Sequence, residues 1–200
     1  MRYAKQLFLA AALLASQTVL AAQGDIIARV RGIVVAPDAS TTGTLSSLGT
    51  TVNTTVVPEV DFTYMFTNSL GAELILGTAR HSLTTDLGGI GKVSLLPPTL
   101  TLQWHFNDAG RIRPYVGAGV NYTLFYHNTL AVGDEGVSIT NHSFGPALQA
   151  GVDVAFSQNW FVNFDVKKLW IKTDATLAGS DIGTLKINPW IIGVGVGRRF

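Results

Sequence analysis

Apolar and polar residues alternate with a period of two in segment after segment of this chain, and no helical period competes over any long stretch. Val56 to Phe66 shows it best: Val60, Phe62, Tyr64 and Phe66 share one face while Glu59, Asp61, Thr63 and Met65 share the other. The same pattern predicts eight strands: Asp25 to Pro37, Val56 to Phe66, Leu70 to Arg80, Val93 to Phe106, Arg113 to Tyr126, Ser143 to Phe156, Trp160 to Thr173 and Thr184 to Phe200. Their connections alternate in length. Short polar turns fall at Thr67-Asn68-Ser69, Asn107 to Gly110 and Ser157-Gln158-Asn159; long ones run from Asp38 to Thr55, His81 to Lys92, His127 to His142 and Asp174 to Gly183. Short turns at one end and long loops at the other are the layout of an outer-membrane barrel with periplasmic turns and extracellular loops.

Alternation alone would also fit a soluble sandwich or a lipocalin-like barrel. Strand length argues otherwise, because ten residues or more exceed the five or six usual in soluble sheets and suit a tilted membrane span. Aromatic spacing agrees. Trp160 and Trp170 lie ten residues apart on one face, as do Trp190 and Phe200. At about 3.3 Å per residue and a tilt near 40°, ten residues rise about 25 Å, the height of a lipid-facing band between two aromatic girdles. The ending, Phe200 with Trp190, Ile192, Val194 and Val196 at one parity, fits a C-terminal signal read by the barrel-assembly machinery. Arg198 interrupts it but can snorkel to the interface. The fold expected is therefore all-β, an eight-stranded antiparallel transmembrane β-barrel in contact with outer-membrane lipid.

Composition adds a targeting segment. Arg2 and Lys5 precede an apolar run from Leu7 to Leu14 and small residues around Val19 to Ala22. That is the order of a secretory signal peptide, and the run is too short to span a bilayer as a helix. Cleavage is expected after Ala21 or Ala22, giving a signal peptide over 1–22, a barrel domain over 23–200 and a destination in the bacterial outer membrane. Loss of Arg2 and Lys5 leaves 12 basic side chains against 13 acidic, which offers no basic footprint for nucleic acid. The absence of cysteine excludes a disulfide framework and Cys-based metal or nucleophile chemistry.

Several segments resemble the OmpW family of small outer-membrane proteins. They are Leu96-Pro97-Pro98-Thr99-Leu100 with Gln103-Trp104-His105-Phe106, then Arg113-Pro114-Tyr115-Val116-Gly117-Ala118-Gly119-Val120-Asn121-Tyr122-Thr123. Gln149-Ala150-Gly151-Val152-Asp153 and the ending from Asn188-Pro189-Trp190 to Gly197-Arg198-Arg199-Phe200 complete the likeness, which covers essentially the whole mature chain. The family's usual Gly-Tyr-Arg-Phe ending is Gly-Arg-Arg-Phe here. The resemblance implies a narrow, largely hydrophobic channel for small hydrophobic molecules, with no enzymatic chemistry and no cofactor. It also implies that Ile75 lies on one side of an apolar constriction, with Lys167 where some relatives place an aromatic residue.

Parity taken from the aromatic ends sorts the inward face into two halves. Arg29, Arg31, Asp61, Glu73, Gln103, His105, Asn121, Asp153, Asn163, Asp165 and Arg199 fall in the lower, periplasmic half, with Glu59, Gln149 and Lys167 nearer the middle. Both signs are present, so the charges either pair as a plug that fills the barrel or line an ion-selective pore. Ile33, Val35, Val57, Ile75, Leu95, Phe125, Leu169, Ile171, Leu185, Ile187 and Ile191 fall inward in the upper half, either as ordinary filling or as an apolar binding funnel. Pro97 and Pro98 lack the N–H a ladder needs, which marks a strand that starts lower or a lateral opening. Of the four histidines, His127 and His142 flank one loop and could approach each other, but none has metal-ligand spacing. The functions these features admit are a funnel for small hydrophobic or detergent-like molecules with release into the bilayer, a non-conducting barrel displaying loops as adhesin or phage or bacteriocin receptor, and a lipid enzyme. No nucleophile motif supports the last.

Overall fold

The computed structural model describes residues 23–107 and 110–200. The expected signal peptide lies outside the described residues. Eight spans close into one antiparallel ring. In chain order they are β1 (Ile26–Ala36), β4 (Thr55–Met65), β5 (Leu70–Gly77), β8 (Thr99–His105), β9 (Ile112–Tyr126), β12 (His142–Ala155), β13 (Trp160–Leu169) and β16 (Trp190–Arg199). Each pairs with its neighbour in sequence, and β16 pairs with β1 from Ile27↔Arg199 to Ala36↔Trp190, so the ring of eight spans has no edge strand. Closure matters because a bilayer offers no water to satisfy an open edge.

The outward positions are the apolar ones. Phe62, Leu100, Leu102, Trp104, Leu148, Phe164, Ile192 and Val194 are exposed, and in a bilayer they face lipid. Trp160, Trp190 and Phe200 are also outward and exposed, whereas Trp170 is partly covered. Phe66, Phe106, Ile112 and Phe156 extend the lower girdle beyond the residues expected from spacing alone. Arg198 lies over the rings of Trp160 and Phe200, so the charge that interrupts the apolar ending rests on aromatic faces.

The long connections depart from simple loops. Strand three does not stop at Arg80: after a break at Thr78 it continues as β6 (Ala79–Thr85), which folds back as β7 (Gly88–Leu96). Strand seven continues as β14 (Lys172–Leu177) and returns as β15 (Ser180–Lys186). Smaller pieces complete the extracellular end: β2 (Ser40–Thr41), the short helix α1 (Thr44–Ser47), β3 (Thr51–Val52), β10 (Ala131–Val132) and β11 (Glu135–Ile139). The alternation explains the extension. Ala79, His81 and Leu83 keep strand three's inward parity and are buried, as are Val93 and Leu95 on the returning strand.

Candidate functional site

The lower interior is one network. Arg29 on β1 pairs with Asp61 at 3.0 Å, Asp153 at 2.9 Å and Glu73 at 3.4 Å. Arg31, two residues up the same face, pairs with Asp61 at 2.6 Å, Glu59 at 2.9 Å, Glu73 at 3.4 Å and Asp165 at 3.6 Å. Lys167 on β13 bridges Glu59 at 2.8 Å and Asp165 at 2.7 Å. Neutral groups fill the remaining valences. Tyr115 Oη donates to Asp165 and accepts from Asn163, Gln149 Nε2 donates to Asp165, and Thr101 Oγ1 donates to Glu73. His105 stacks on Tyr115 and shares a hydrogen bond with Gln103 at 3.1 Å.

Small residues make this density possible. A Cβ on Gly151 would strike the Tyr115 ring and come within 2.7 Å of the Phe164 carbonyl; one on Gly197 would enter the Phe161 ring. The glycine-rich strands therefore leave space for large lumen-filling side chains on their neighbours. Tyr115 and Thr101 are members of the network that the inward list from sequence lacks. Their odd parity, alongside Arg113 and Gln103, is the available signal, but neither a ring nor a threonine marks a polar lumen by itself.

Above the network the lumen changes character. Ile33, Val35, Leu95, Phe125, Leu169, Ile171, Leu185, Ile187 and Ile191 form one buried cluster with Val57 packed against it. Ile75 is buried beside them, and the Glu59–Lys167 pair makes the floor. Side chains nearly fill this chamber, leaving about 40 Å³ free. An apolar cavity that accepts benzene is several times larger, roughly 150 Å³. An apolar guest must therefore displace side chains or hairpins.

These features match a known group. The sequence profile of the OmpW family covers residues 22–200. The chain belongs to the OmpW family. It is 42% identical over 181 residues to the outer-membrane protein y4mB of Sinorhizobium fredii, across 86% of this chain and 78% of that one. Outer membrane protein W of Escherichia coli is 38% identical, with 88% and 89% covered. Among solved structures, the OprG barrel of Pseudomonas aeruginosa superposes with a TM-score of 0.78 at 26% identity, covering 92% of this chain and 99% of that one. The protein is thus an outer-membrane β-barrel of the OmpW type, seated in the lipid bilayer.

Two places in the wall of this OmpW-family barrel depart from a continuous ladder. Between strands three and four, pairing runs up to Ile75↔Thr99, stops, and resumes at Ala79↔Leu95 in the same register. Leu76, Gly77 and Thr78 there face Leu96, Pro97 and Pro98, and neither proline has an N–H to give. Thr78 Oγ1 instead donates to the Leu95 carbonyl at 3.1 Å and bonds the Tyr126 hydroxyl at 2.5 Å. Pro97 lines the chamber together with Gly77 and Thr78, so the seam and the apolar lumen are contiguous. Pairing with strand three persists above the prolines, from Gly88 to Leu95, so the interruption is local and strand four does not simply start lower.

The second departure lies between strands six and seven. Pairing ends at Ala147↔Leu169, and strand seven then turns to β11. Asn121 serves this break: its Nδ2 donates to the carbonyls of Gly145, Pro146 and Trp170 at 3.0, 3.0 and 3.3 Å. The sequence placed Asn121 in the lower half. It stands instead at the height of Trp170, beside the Pro146 carbonyl, which also accepts from the Trp170 N–H at 3.2 Å, and it supplements the ladder where Pro146 has no N–H to give. Of the two loop-flanking histidines, His142 stacks on Tyr122 and His127 lies tilted at 57° against Tyr126.

Proposed function

We propose that the barrel takes small hydrophobic molecules from the extracellular side into the apolar chamber and releases them sideways into the outer membrane, without catalysis. One observation carries this reading: the chamber is apolar and ends on a closed network of ion pairs. A guest moving straight down would have to part Lys167 from Glu59 and Asp165 and then open the arginine cluster, leaving buried ions unpaired at about 3–5 kcal/mol for each broken pair. The seam at Pro97 and Pro98 lacks three ladder rungs and opens from the chamber wall, so the sideways path breaks few hydrogen bonds. The lower network then acts as a plug, and Ile75 with the surrounding apolar residues as the guest's contact surface.

The test is uptake of a hydrophobic probe by cells carrying the protein, compared with Ile75→Asp and with the double change Pro97→Val and Pro98→Thr. Ile75→Asp sets a carboxylate beside Glu59 in an apolar wall and should reduce uptake strongly. The double change restores two N–H donors to the seam and should slow release. If both variants assemble normally and transport like the parent, the barrel serves as a scaffold for its extracellular hairpins instead.

A further inference from the structure

On the outer surface, the departure of strand six from strand seven leaves a groove. Pro146 has no N–H to give, and above Trp170 strand seven pairs with β11, so the regular ladder between strands six and seven ends there; the Trp170 N–H to the Pro146 carbonyl at 3.2 Å and the Lys172 N–H to Ser143 Oγ at 3.0 Å still link them. The groove holds about 280 Å³ and is lined below by Phe144, Pro146 and Trp170, and above by Lys172, Lys186 and Asn188. Its lower part continues the lipid-facing apolar surface. Its upper part lies one outward step above Trp170 on strand seven and two above Trp190 on strand eight, at headgroup height.

The two lysines are the unusual feature. Lys172 and Lys186 are direct cross-strand partners on the same outward face. Like charges directly opposite each other destabilise a sheet. Among the described residues neither lysine has an ion-pair partner within 4.0 Å. The outward acid next along the strand, Asp174, accepts a hydrogen bond from Thr184 at 2.6 Å, and Asp38 is taken by Lys168 at 2.9 Å. A phosphate between the two ammonium groups would turn this repulsion into a bridge.

From this we infer that the groove between strands six and seven is a binding site for a phosphorylated acyl lipid of the outer leaflet, its phosphate between Lys172 and Lys186 and an acyl chain against Phe144, Pro146 and Trp170. The site is on the outside of the barrel and does not depend on the transport reading. A lipid there covers a stretch of wall where ladder hydrogen bonds are missing, and seals it.

The test uses the full mature barrel in phosphatidylcholine nanodiscs, titrated with bisphosphorylated lipid A, with its dephosphorylated form and with inorganic phosphate, and read by native mass spectrometry. Bisphosphorylated lipid A should be retained on the parent. Removing the lipid's phosphates, or making Lys172→Gln with Lys186→Gln, should weaken retention by about tenfold or more. Lys92→Gln, an outward lysine on β7, should leave it unchanged. Lys186→Glu guards against misfolding: it sets opposite charges across the rung, so the barrel should resist unfolding at least as well as the parent while losing the lipid. Equal retention by the double variant, equal loss in Lys92→Gln, or full competition by inorganic phosphate would each overturn the inference.

Discussion

Replacing Arg29 with Met tests whether the lower network is a plug under tension or mere filling. Arg29 contacts three carboxylates, but they are not equally dependent on it. Asp61 and Glu73 keep Arg31, whereas the only cation paired with Asp153 among the described residues is Arg29. Asp153 would keep one hydrogen bond, from Asn163 Nδ2 at 2.7 Å. The loss therefore corresponds to one orphaned buried carboxylate, about 3–5 kcal/mol, rather than three times that. A 4 kcal/mol loss changes the folding equilibrium by roughly a thousandfold. Adding Asp153→Asn removes the orphaned charge while keeping the shape, and should recover most of the loss. Urea unfolding in lipid vesicles, followed by tryptophan fluorescence, reads both effects. A single variant within 1 kcal/mol of the parent at neutral pH would falsify the view that this ion-pair cluster holds the floor of the chamber.

Gly151→Ala places a methyl against the Tyr115 ring and the Phe164 carbonyl. It should cost about 1–3 kcal/mol or slow assembly, judged by heat-modifiability on gels, while Gly32→Ala, where a Cβ meets open space, should be silent. The four tryptophans, Trp104, Trp160, Trp170 and Trp190, should be quenched best by lipids brominated near the headgroup, since their rings sit at the two interfaces. Maximal quenching from bromines at the bilayer centre would contradict the outward parity and with it the assignment of the lumen.

The faces of the barrel were legible because period two is a local property. Once Trp160 and Phe200 are placed outward, every odd residue of strands one, two and eight must point inward, and Arg29, Asp61 and Arg199 follow without further information. Height was less legible. Tilt and stagger set which residues share a level, and alternation carries neither. Asn121 and Asp153 have the same parity on adjacent strands, yet one caps the break beside Trp170 and the other lies deep in the arginine cluster. Breaks in the ladder were visible only where proline announced them, at Pro97 and Pro98. At Pro146 a single proline removes one donor, but the departure also depends on strand seven taking β11 as a partner, a long-range pairing with no local signature. The hairpin β14–β15 was hidden for a similar reason: Gly179 and Gly183, both at positive φ, read as loop residues although the flanking segments pair.

A chamber with about 40 Å³ free can be a binding site only if it yields, and a cavity-forming substitution separates that requirement from transport. Leu169 is almost fully buried in the chamber wall. Leu169→Ala should cost about 2–5 kcal/mol, part of it for the space left behind if neighbours do not collapse. An apolar space of roughly 150 Å³ stays dry and accepts benzene. Removing the Leu169 side chain beside the existing void moves the chamber toward that size with no hairpin having to open. Benzene should then raise the variant's resistance to unfolding, by about 2.7 kcal/mol at a hundred times its dissociation constant, and should do little for the parent or for the outward control Val166→Ala. Denaturant midpoints in vesicles, with and without saturating benzene, measure this directly. A variant that loses stability without being rescued by benzene has collapsed its chamber. The upper lumen would then be soft filling rather than a preformed site, and a guest could bind only by driving apart the β6–β7 and β14–β15 hairpins that roof it.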